Sequence, residues 1–240
     1  MPVPYKRVLL KLSGELLKGK EAFGIDKEAG MRLAKVLHQI QSQGTQLGVV
    51  IGGGNIFRGS QIQALGLPKA PADQIGMLST LMNGIALQQL LEGIGCPTLV
   101  LSALDCPKVA ESYTWNKAQA ALKQNKVILF VGGTGNPFFT TDTAAALRAG
   151  EIQADILLKG TKVDGIYDKD PLKYPGAKKY EQLTYEQFLA QKLQVMDATS
   201  VALCMSNAIP IRVFNMELLF SDQLSDILTQ SPIGTLVTGN

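Results

Sequence analysis

The sequence predicts an α/β fold in which helices cover both faces of a mostly parallel sheet. Short, nearly continuous apolar runs, such as Leu47–Ile51 and Val127–Val131, have the pattern of strands that are buried on both faces. Segments with a helical spacing of apolar residues separate these runs along the chain. Because strands that alternate with helices form parallel sheets with crossovers on both faces, we expect a three-layer α/β/α sandwich.

The elements follow one another in chain order. Val8–Leu12 is the first predicted strand, and Asp26 offers an N-cap to a helix over Lys27–Gln43. A long helical stretch runs from Asp73 to Leu91 and stops at two glycines. The further predicted helices are Asn116–Gln124, Thr143–Ala149, Thr184–Gln191 and Thr199–Asn207, and the further predicted strands are Thr98–Leu101, Ile156–Lys159, Ile211–Phe214 and Thr235–Val237.

Length and composition exclude several classes of protein. The 240 residues fit one α/β domain, with lobes of residues 1–150 and 151–240. The chain carries 23 Lys and Arg against 20 Asp and Glu, and 46% of its residues are hydrophobic, which excludes disorder. It has no run of about five basic residues and no apolar stretch of about 18 residues, so we expect neither a nucleic-acid nor a membrane partner.

Cysteine and histidine are too scarce for several kinds of chemistry. Cys96, Cys106 and Cys204 are an odd number without metal-binding spacing, which favours a reducing, cytoplasmic setting. The only histidine, His38, lies in a helical pattern and fits a surface or interface position better than a catalytic one.

Glycine-rich segments follow three of the predicted strands. They are residues 11–14, 52–59 and 132–142, and they include two cations, Lys11 and Arg58. Ligands of open α/β sheets bind beyond the carboxyl ends of the strands, and glycines let backbone N–H groups approach an anion. Any one segment is also explained as a structural turn, but three together predict a site for more than one phosphate group.

Five polar or charged side chains, in these segments or beyond them, each have two explanations. Lys11 is costly to bury unpaired, so it either binds a ligand or reaches solvent. Asp142 either accepts the Lys11 ammonium or caps the following helix, and Asp197 is a second orienting carboxylate or a helix cap. In the segment 159–171, Tyr167 is placed to cover a base and Asp170 to accept hydrogen bonds, although a turn with solvated charges also fits.

Two standard nucleotide motifs are absent. Gly14 to Lys20 approaches a P-loop, but Glu21 stands where Ser or Thr would hold magnesium. The dinucleotide fingerprint fails as well, because Phe57 and Phe138 replace its third glycine.

Taken together, the glycine-rich segments resemble the amino-acid kinase superfamily over essentially the whole chain. The segments that carry the resemblance are Lys-Leu-Ser-Gly at 11–14, Ile-Gly-Gly-Gly-Asn-Ile-Phe-Arg-Gly at 51–59 and Thr-Lys-Val-Asp-Gly at 161–165. A fourth, Gly-Thr-Gly-Asn-Pro-Phe-Phe-Thr-Thr-Asp at 133–142, is similar to the bacterial branch that phosphorylates UMP.

The resemblance implies a role for each matching position. The implied catalytic residues are Lys11, Arg58 and Asp142. The implied ATP-binding residues are Lys11, Leu12, Ser13, Gly14, Gly54, Arg58, Thr161, Tyr167 and Asp170. The implied UMP-binding residues are Gly53, Asp73, Thr134, Gly135, Asn136, Pro137, Phe138, Phe139, Thr140 and Thr141. The lobe 1–150 would mainly bind UMP and the lobe 151–240 mainly ATP.

The implied reaction is ATP + UMP → ADP + UDP, a step of pyrimidine nucleotide synthesis. The sequence has no evident Asp/Glu/His cluster at ligand spacing, so Mg²⁺ is expected to be carried by the ATP phosphates and water rather than by protein ligands. The resemblance further implies a cytoplasmic homohexamer. UTP is the expected inhibitor, since it can occupy the acceptor pocket.

Two alternatives stay open at this point. One is a kinase of the same superfamily that acts on a carboxylate or a carbamate. The other is a nucleotide-sensing regulator without catalysis, which Lys11 and Arg58 disfavour because a regulator has no need of two phosphate cations.

Overall fold

One mixed sheet forms the centre of the molecule. The computed structural model describes residues 5–57 and 66–239. Its main sheet has nine strands in the order β4-β3-β5-β2-β1-β6-β10-β11-β9, parallel from β4 to β10. The strands are β1 Arg7–Leu12, β2 Gln46–Ile51, β3 Thr98–Ser102, β4 Glu111–Ser112, β5 Val127–Val131, β6 Ile156–Thr161, β9 Gln182–Thr184, β10 Ile211–Asn215 and β11 Thr235–Thr238.

Strand β11 runs antiparallel to β10, and β9 is parallel to β11, so this edge of the sheet runs in the opposite direction. A separate two-stranded ribbon joins β7 Ile166–Tyr167 to β8 Lys179–Tyr180. The main sheet confirms the predicted mostly parallel topology, and the antiparallel pairings of β11 and of the ribbon were not predicted.

Helices cover both faces of the sheet. In the described residues they are α1 Glu15–Lys18, α2 Lys27–Ser42, α3 Lys69–Glu92, α4 Trp115–Lys123, α5 Thr141–Glu151, α6 Tyr185–Ala190, α7 Ala198–Ser206 and α8 Leu224–Ile227, with a 3₁₀ turn at Met216–Phe220. Leu10 and its neighbours on one face of the sheet share a core with α2 and α3, whereas Leu9 and its neighbours on the other face share a core with α4 to α7. The three-layer α/β/α fold class is confirmed.

The long helix α3 begins one turn earlier than the sequence pattern predicts. Pro68 is its N-cap and Lys69 its first residue, whereas the predicted start was Asp73. Pro71 falls in the first turn, where its missing N–H has no helical partner to lose. Asp73 therefore lies inside the helix, one turn from its beginning.

Alternation along β1 decides where its lysine points. Leu9 belongs to the core beneath α5, and Lys11, two residues later, projects to the same face of the sheet. Lys159 in β6 is the direct register partner of Lys11. The sheet therefore places both lysines side by side at its carboxyl edge, below the start of α5.

None of the helices described is long and apolar enough to cross a membrane.

Candidate active site

A cluster of two lysines and one aspartate forms the centre of the site. Lys11 Nζ lies 2.7 Å from Asp142 Oδ1, and Lys159 Nζ contacts Asp142 Oδ2. Lys159 also donates to the carbonyl of Val195, at 2.5 Å. All three charged side chains are largely shielded from solvent, with Lys159 the least exposed. The cluster carries two positive charges and one negative charge, which suits it to an anionic ligand.

The pKa values in this cluster follow from burial and mutual charge. Burial raises the pKa of Asp142, but the ammonium groups of Lys11 and Lys159 outweigh that effect and hold it below its ordinary value. Burial also disfavours the Lys159 ammonium, and together with the positive charge of Lys11 it lowers the pKa of Lys159 to about 8 despite the attraction of Asp142. Lys159 is therefore protonated at neutral pH and begins to lose its charge in mildly alkaline solution.

The N-terminus of helix α5 lies at the cluster. Thr140 is the N-cap, and its hydroxyl accepts from the backbone N–H groups of Asp142 and Thr143. Asp142 is thus a first-turn residue of α5 and not the cap, which leaves its carboxylate free to hold the lysines. An acidic side chain and an anionic ligand are both favoured at this end of a helix.

Asp197 links α5 to α7. It caps α7 by accepting from Ser200 N–H at 2.7 Å, and its carboxylate also accepts from the hydroxyls of Thr140 and Thr143, the latter at 2.9 Å. Asp197 is therefore the cap of α7, one of its two explanations, and its other contacts here are to the hydroxyls of α5 rather than to the Lys11 ammonium.

The first glycine loop, residues 52–54, packs against the end of β1. A Cβ atom on Gly14 would stand 2.2 Å from the carbonyl oxygen of Gly52, so only glycine allows this approach. Ser13 Oγ accepts a hydrogen bond at 3.3 Å from the N–H of Glu15, the first residue of α1. The side chain of Leu12 is fully buried in the core, which leaves only its backbone for a ligand.

The second glycine loop, residues 132–135, follows β5 and turns through left-handed backbone at Gly132, Gly133 and Gly135. A Cβ atom on Gly135 would meet the carbonyl of Ala103 at 2.8 Å. The backbone of Phe138 also has a positive φ of 71°, which is uncommon for an aromatic residue. Its N–H donates to Asp73 Oδ2 at 2.7 Å, so the carboxylate helps to hold this conformation.

A first cavity of about 290 Å³ opens between α3 and the two glycine loops. Its lining includes five of the residues expected to bind UMP and one expected to bind ATP: Gly53, Asp73, Phe139, Thr140, Thr141 and Gly54. Lys69 pairs with Asp73 at the rim. Burial raises the pKa of Asp73, but hydrogen bonds from Lys69 and from Phe138 N–H outweigh it and hold the pKa below its ordinary value.

Other residues expected to bind UMP, residues 134–138, do not line this cavity in the structure described. Thr134 Oγ1 donates to the carbonyl of Asn136 at 3.1 Å and accepts from its N–H at 3.2 Å, so this turn is closed upon itself. Pro137 and Phe138 continue it, and Phe138 is largely exposed.

A second cavity, of about 400 Å³, lies between the β7 segment and the residues before α7. Tyr167, Asp170 and Val195 are among its lining residues. Tyr167 donates to Asp164 at 2.5 Å, which fixes its ring at the cavity wall. Thr161 lies outside this lining, and its hydroxyl donates to the carbonyl of Val163 at 2.6 Å.

Neighbours of the charged cluster line both cavities. Asp142 follows Thr141, which lines the first cavity, and Lys159 bonds to Val195, which lines the second. Arg58, the other predicted cation, lies outside the described residues.

Lys159 is the site residue that the sequence patterns missed. A lysine that ends an apolar strand was the signal that identified Lys11, and the same signal was present at residues 156–159.

The fold and this site define a known class of protein. The model of the amino acid kinase family matches residues 6–215. Since the match covers most of the chain, the protein belongs to the amino acid kinase family.

Within that family, similar proteins include uridylate kinases. The uridylate kinase of Protochlamydia amoebophila (strain UWE25) is 61% identical over 97% of this chain and 92% of its own, and that of Brucella suis biovar 1 (strain 1330) is 50% identical over 98% of both. A crystal structure of the UMP kinase from Bacillus anthracis superposes with a TM-score of 0.93, at 33% identity, covering 99% of this chain and 98% of the other.

Proposed function

We propose that the protein transfers the γ-phosphate of ATP to UMP, giving UDP and ADP, as a step of pyrimidine nucleotide synthesis. The observation that carries the proposal is the similarity to uridylate kinases over nearly the whole length of both chains. The charged cluster and its two flanking cavities support the same conclusion, because transfer between two nucleotides needs two sites that meet at a cationic centre.

Phosphoryl transfer depends mainly on alignment and on charge stabilisation. Lys11 and Lys159 are positioned to neutralise the charge that develops on the transferring group, and backbone N–H groups of the glycine loops add donors. Asp142 keeps both ammonium groups at fixed positions before the substrate arrives. Arg58 is a further catalytic cation in this proposal.

Magnesium enters as part of the Mg–ATP substrate. The carboxylate of Asp142 is occupied by two lysines, so it is poorly suited to act as a metal ligand. Within the part of the chain that the structure describes, no group of three His, Cys, Asp or Glu residues is placed to hold a metal ion. The ATP phosphates and water are the main ligands of the ion in this proposal.

The two cavities divide the substrates between them. UMP would occupy the first cavity, with the ribose hydroxyls at Asp73, and the residues 1–150 would supply most of its contacts. ATP would approach through the second cavity, where Tyr167 and Asp170 lie, and the residues 151–240 would supply most of its adenosine contacts. Lys11 to Gly14 and Gly54 would contact its phosphates.

Assembly, inhibition and location complete the proposal. Leu78 and Met82 are exposed apolar side chains on α3, which supports a homo-oligomer, and we expect a hexamer. UTP would inhibit by occupying the first cavity, and the enzyme would act in the cytoplasm. Light scattering after size-exclusion chromatography measures the mass of the assembly and so tests the hexamer. Steady-state kinetics with UTP at several UMP concentrations test whether the two nucleotides compete for one site.

Product analysis tests the reaction itself. The protein is mixed with Mg–ATP and, separately, with UMP, CMP, AMP, GMP, acetylglutamate or aspartate, and the products are separated by chromatography. We expect equal amounts of UDP and ADP with UMP. Turnover of an amino-acid substrate alone would instead assign a carboxylate kinase, and nucleotide binding without ADP release would assign a regulator.

A further inference from the structure

One turn of helix α3 contacts both glycine loops. Thr80 Oγ1 accepts from Gly132 N–H at 2.9 Å, and Asn83 Nδ2 donates to the carbonyl of Gly52 at 2.8 Å. Both side chains are almost completely buried. A buried polar group in a helix interior needs a partner, and here the partners are the backbones of the two loops that flank the first cavity.

Asn83 forms a reciprocal pair with Asn55. Asn55 Nδ2 donates to Asn83 Oδ1 at 2.9 Å, and Asn83 Nδ2 donates to Asn55 Oδ1 at 2.7 Å. The remaining amide proton of Asn55 goes to the carbonyl of Gly24 at 2.9 Å. Both amide groups thus use both of their protons, which leaves each side chain a single orientation.

This pair determines which way one peptide group of the first loop faces. The described backbone has no cis peptide bond, so the carbonyl of Gly52 and the N–H of Gly53 point in opposite directions. Asn83 holds the Gly52 carbonyl toward the interior, and Gly53 lines the first cavity. The Gly53 N–H is therefore directed away from the side-chain amide of Asn83, in a residue that lines the first cavity.

We propose that Asn83, with Asn55, is a positioning residue that orients the Gly52–Gly53 peptide for phosphate binding, and that Thr80 does the same for the Gly132 end of the second loop. The inference rests on the proposed function for its kinetic consequence. Misplacing a donor by about 1 Å costs on the order of 100-fold in rate, so the effect falls mainly on kcat rather than on substrate affinity.

The test compares Asn83→Leu, the double variant Asn55→Leu/Asn83→Leu and the control Ser79→Ala. Leucine has the branched shape of asparagine. The single variant leaves the side-chain amide of Asn55 without its partner, whereas the double variant removes both side-chain amides, so we expect the double variant to regain stability that the single variant loses. Ser79 is buried on the same helix, and its hydroxyl donates to Ile75 within α3. Its Cβ packs against Gly53, and alanine keeps that contact. The control is expected to behave as the unchanged protein.

Three measurements are made on each protein: urea unfolding, kcat and KM for UMP with Mg–ATP, and backbone hydrogen exchange of residues 51–57 without nucleotide. We expect kcat to fall about tenfold or more in both Asn83 variants, with KM changed less than about threefold. Exchange at residues 51–57 should be faster in both. Recovery of kcat together with stability in the double variant would overturn the proposal, since it would show a merely structural role.

Hydrogen exchange separates this inference from the proposed function. If the unchanged protein phosphorylates none of the acceptors, faster exchange at residues 51–57 in the Asn83 variants still supports the positioning role, and unchanged exchange overturns it.

Thr80→Val replaces the Asn83 variants if they do not fold, because valine keeps the shape of threonine. Exchange at residues 132–135 should then rise, and an unchanged rate there would contradict the inference.

Discussion

Lys11 and Lys159 are register partners on neighbouring parallel strands, and both ammonium groups contact the same carboxylate, that of Asp142. Two like charges at adjacent positions repel each other, and each is costly to bury alone. Asp142 offsets both effects. The shared carboxylate therefore allows one edge of the sheet to hold two cations side by side.

Lys11→Ala should lower kcat by about 10²- to 10³-fold with the fold intact, because it removes one stabiliser of the transferring group. Steady-state kinetics with UMP and Mg–ATP measure the effect. Lys117→Ala is a suitable control, since Lys117 forms an exposed pair with Glu111 and such pairs contribute little to stability. Near-normal turnover in folded Lys11→Ala would reject the catalytic role of Lys11.

Asp142→Asn should reduce both stability and activity. The variant leaves the two lysines without their counter-charge, and loss of one partner of a buried ion pair costs on the order of 3 kcal/mol in the free energy of unfolding. Urea unfolding followed by the fluorescence of the single tryptophan, Trp115, measures this change. A variant as stable as the unchanged protein would mean that the lysines reach solvent and do not depend on Asp142.

Activity should decline as the pH rises through about 8, the value to which burial and Lys11 lower the pKa of Lys159. The free enzyme then loses an ammonium group that faces the phosphates, and kcat/KM reports groups of the free enzyme. One unit above that pKa about a tenth of the lysine stays charged, so kcat/KM at pH 9 should be about tenfold below its plateau. A constant kcat/KM up to pH 9.5 would contradict this assignment.

The same titration should change stability in the opposite direction. Unfolded lysine has a pKa of about 10.4, so between about pH 8 and pH 10 the unfolded chain binds more protons at Lys159 than the folded chain does. The contribution of Lys159 to the free energy of unfolding therefore rises with pH in this range. Urea unfolding at pH 7.5 and 9.5 should show the unchanged protein gaining stability relative to Lys159→Met. An equal change in both proteins would exclude the shifted pKa.

Asp73→Asn should weaken UMP binding and leave ATP affinity almost unchanged. Asp73 lines the first cavity and its carboxylate accepts from Phe138 N–H, so the change removes the negative charge and one of two acceptor oxygens expected at the ribose, and it loosens the adjacent turn. We expect KM for UMP to rise about tenfold, the effect of losing one hydrogen bond to a charged group. A change confined to the KM for ATP would show that the two cavities have been assigned to the wrong substrates.

Some site residues were predictable because their signals are local. Lys11 ends an apolar strand, and the glycine segments follow strands, so both are visible within a few residues of sequence. Asn83 has no comparable signal, since its partners Gly52 and Asn55 lie far away along the chain and an asparagine within a helix has no distinctive pattern. Lys159 had the same local signal as Lys11, but only the pairing of β6 with β1 places it beside Lys11, where it contacts Asp142.

The start of α3 is a boundary that the sequence pattern places one turn too late. The pattern predicts a start at Asp73, yet Pro71 is tolerated in the first helical turn, where no N–H bond is lost. The extra turn brings Lys69 within reach of Asp73.

The sequence by itself determined the α/β class, most of the strands and helices, and the glycine-rich loops that follow strands, because apolar periodicity and turn residues act over short distances along the chain. Only the tertiary structure decided that β1 lies between β2 and β6, that two lysines share Asp142, and that α3 holds both loops. Those relationships depend on strand order and register, which are determined when distant segments pack into one core.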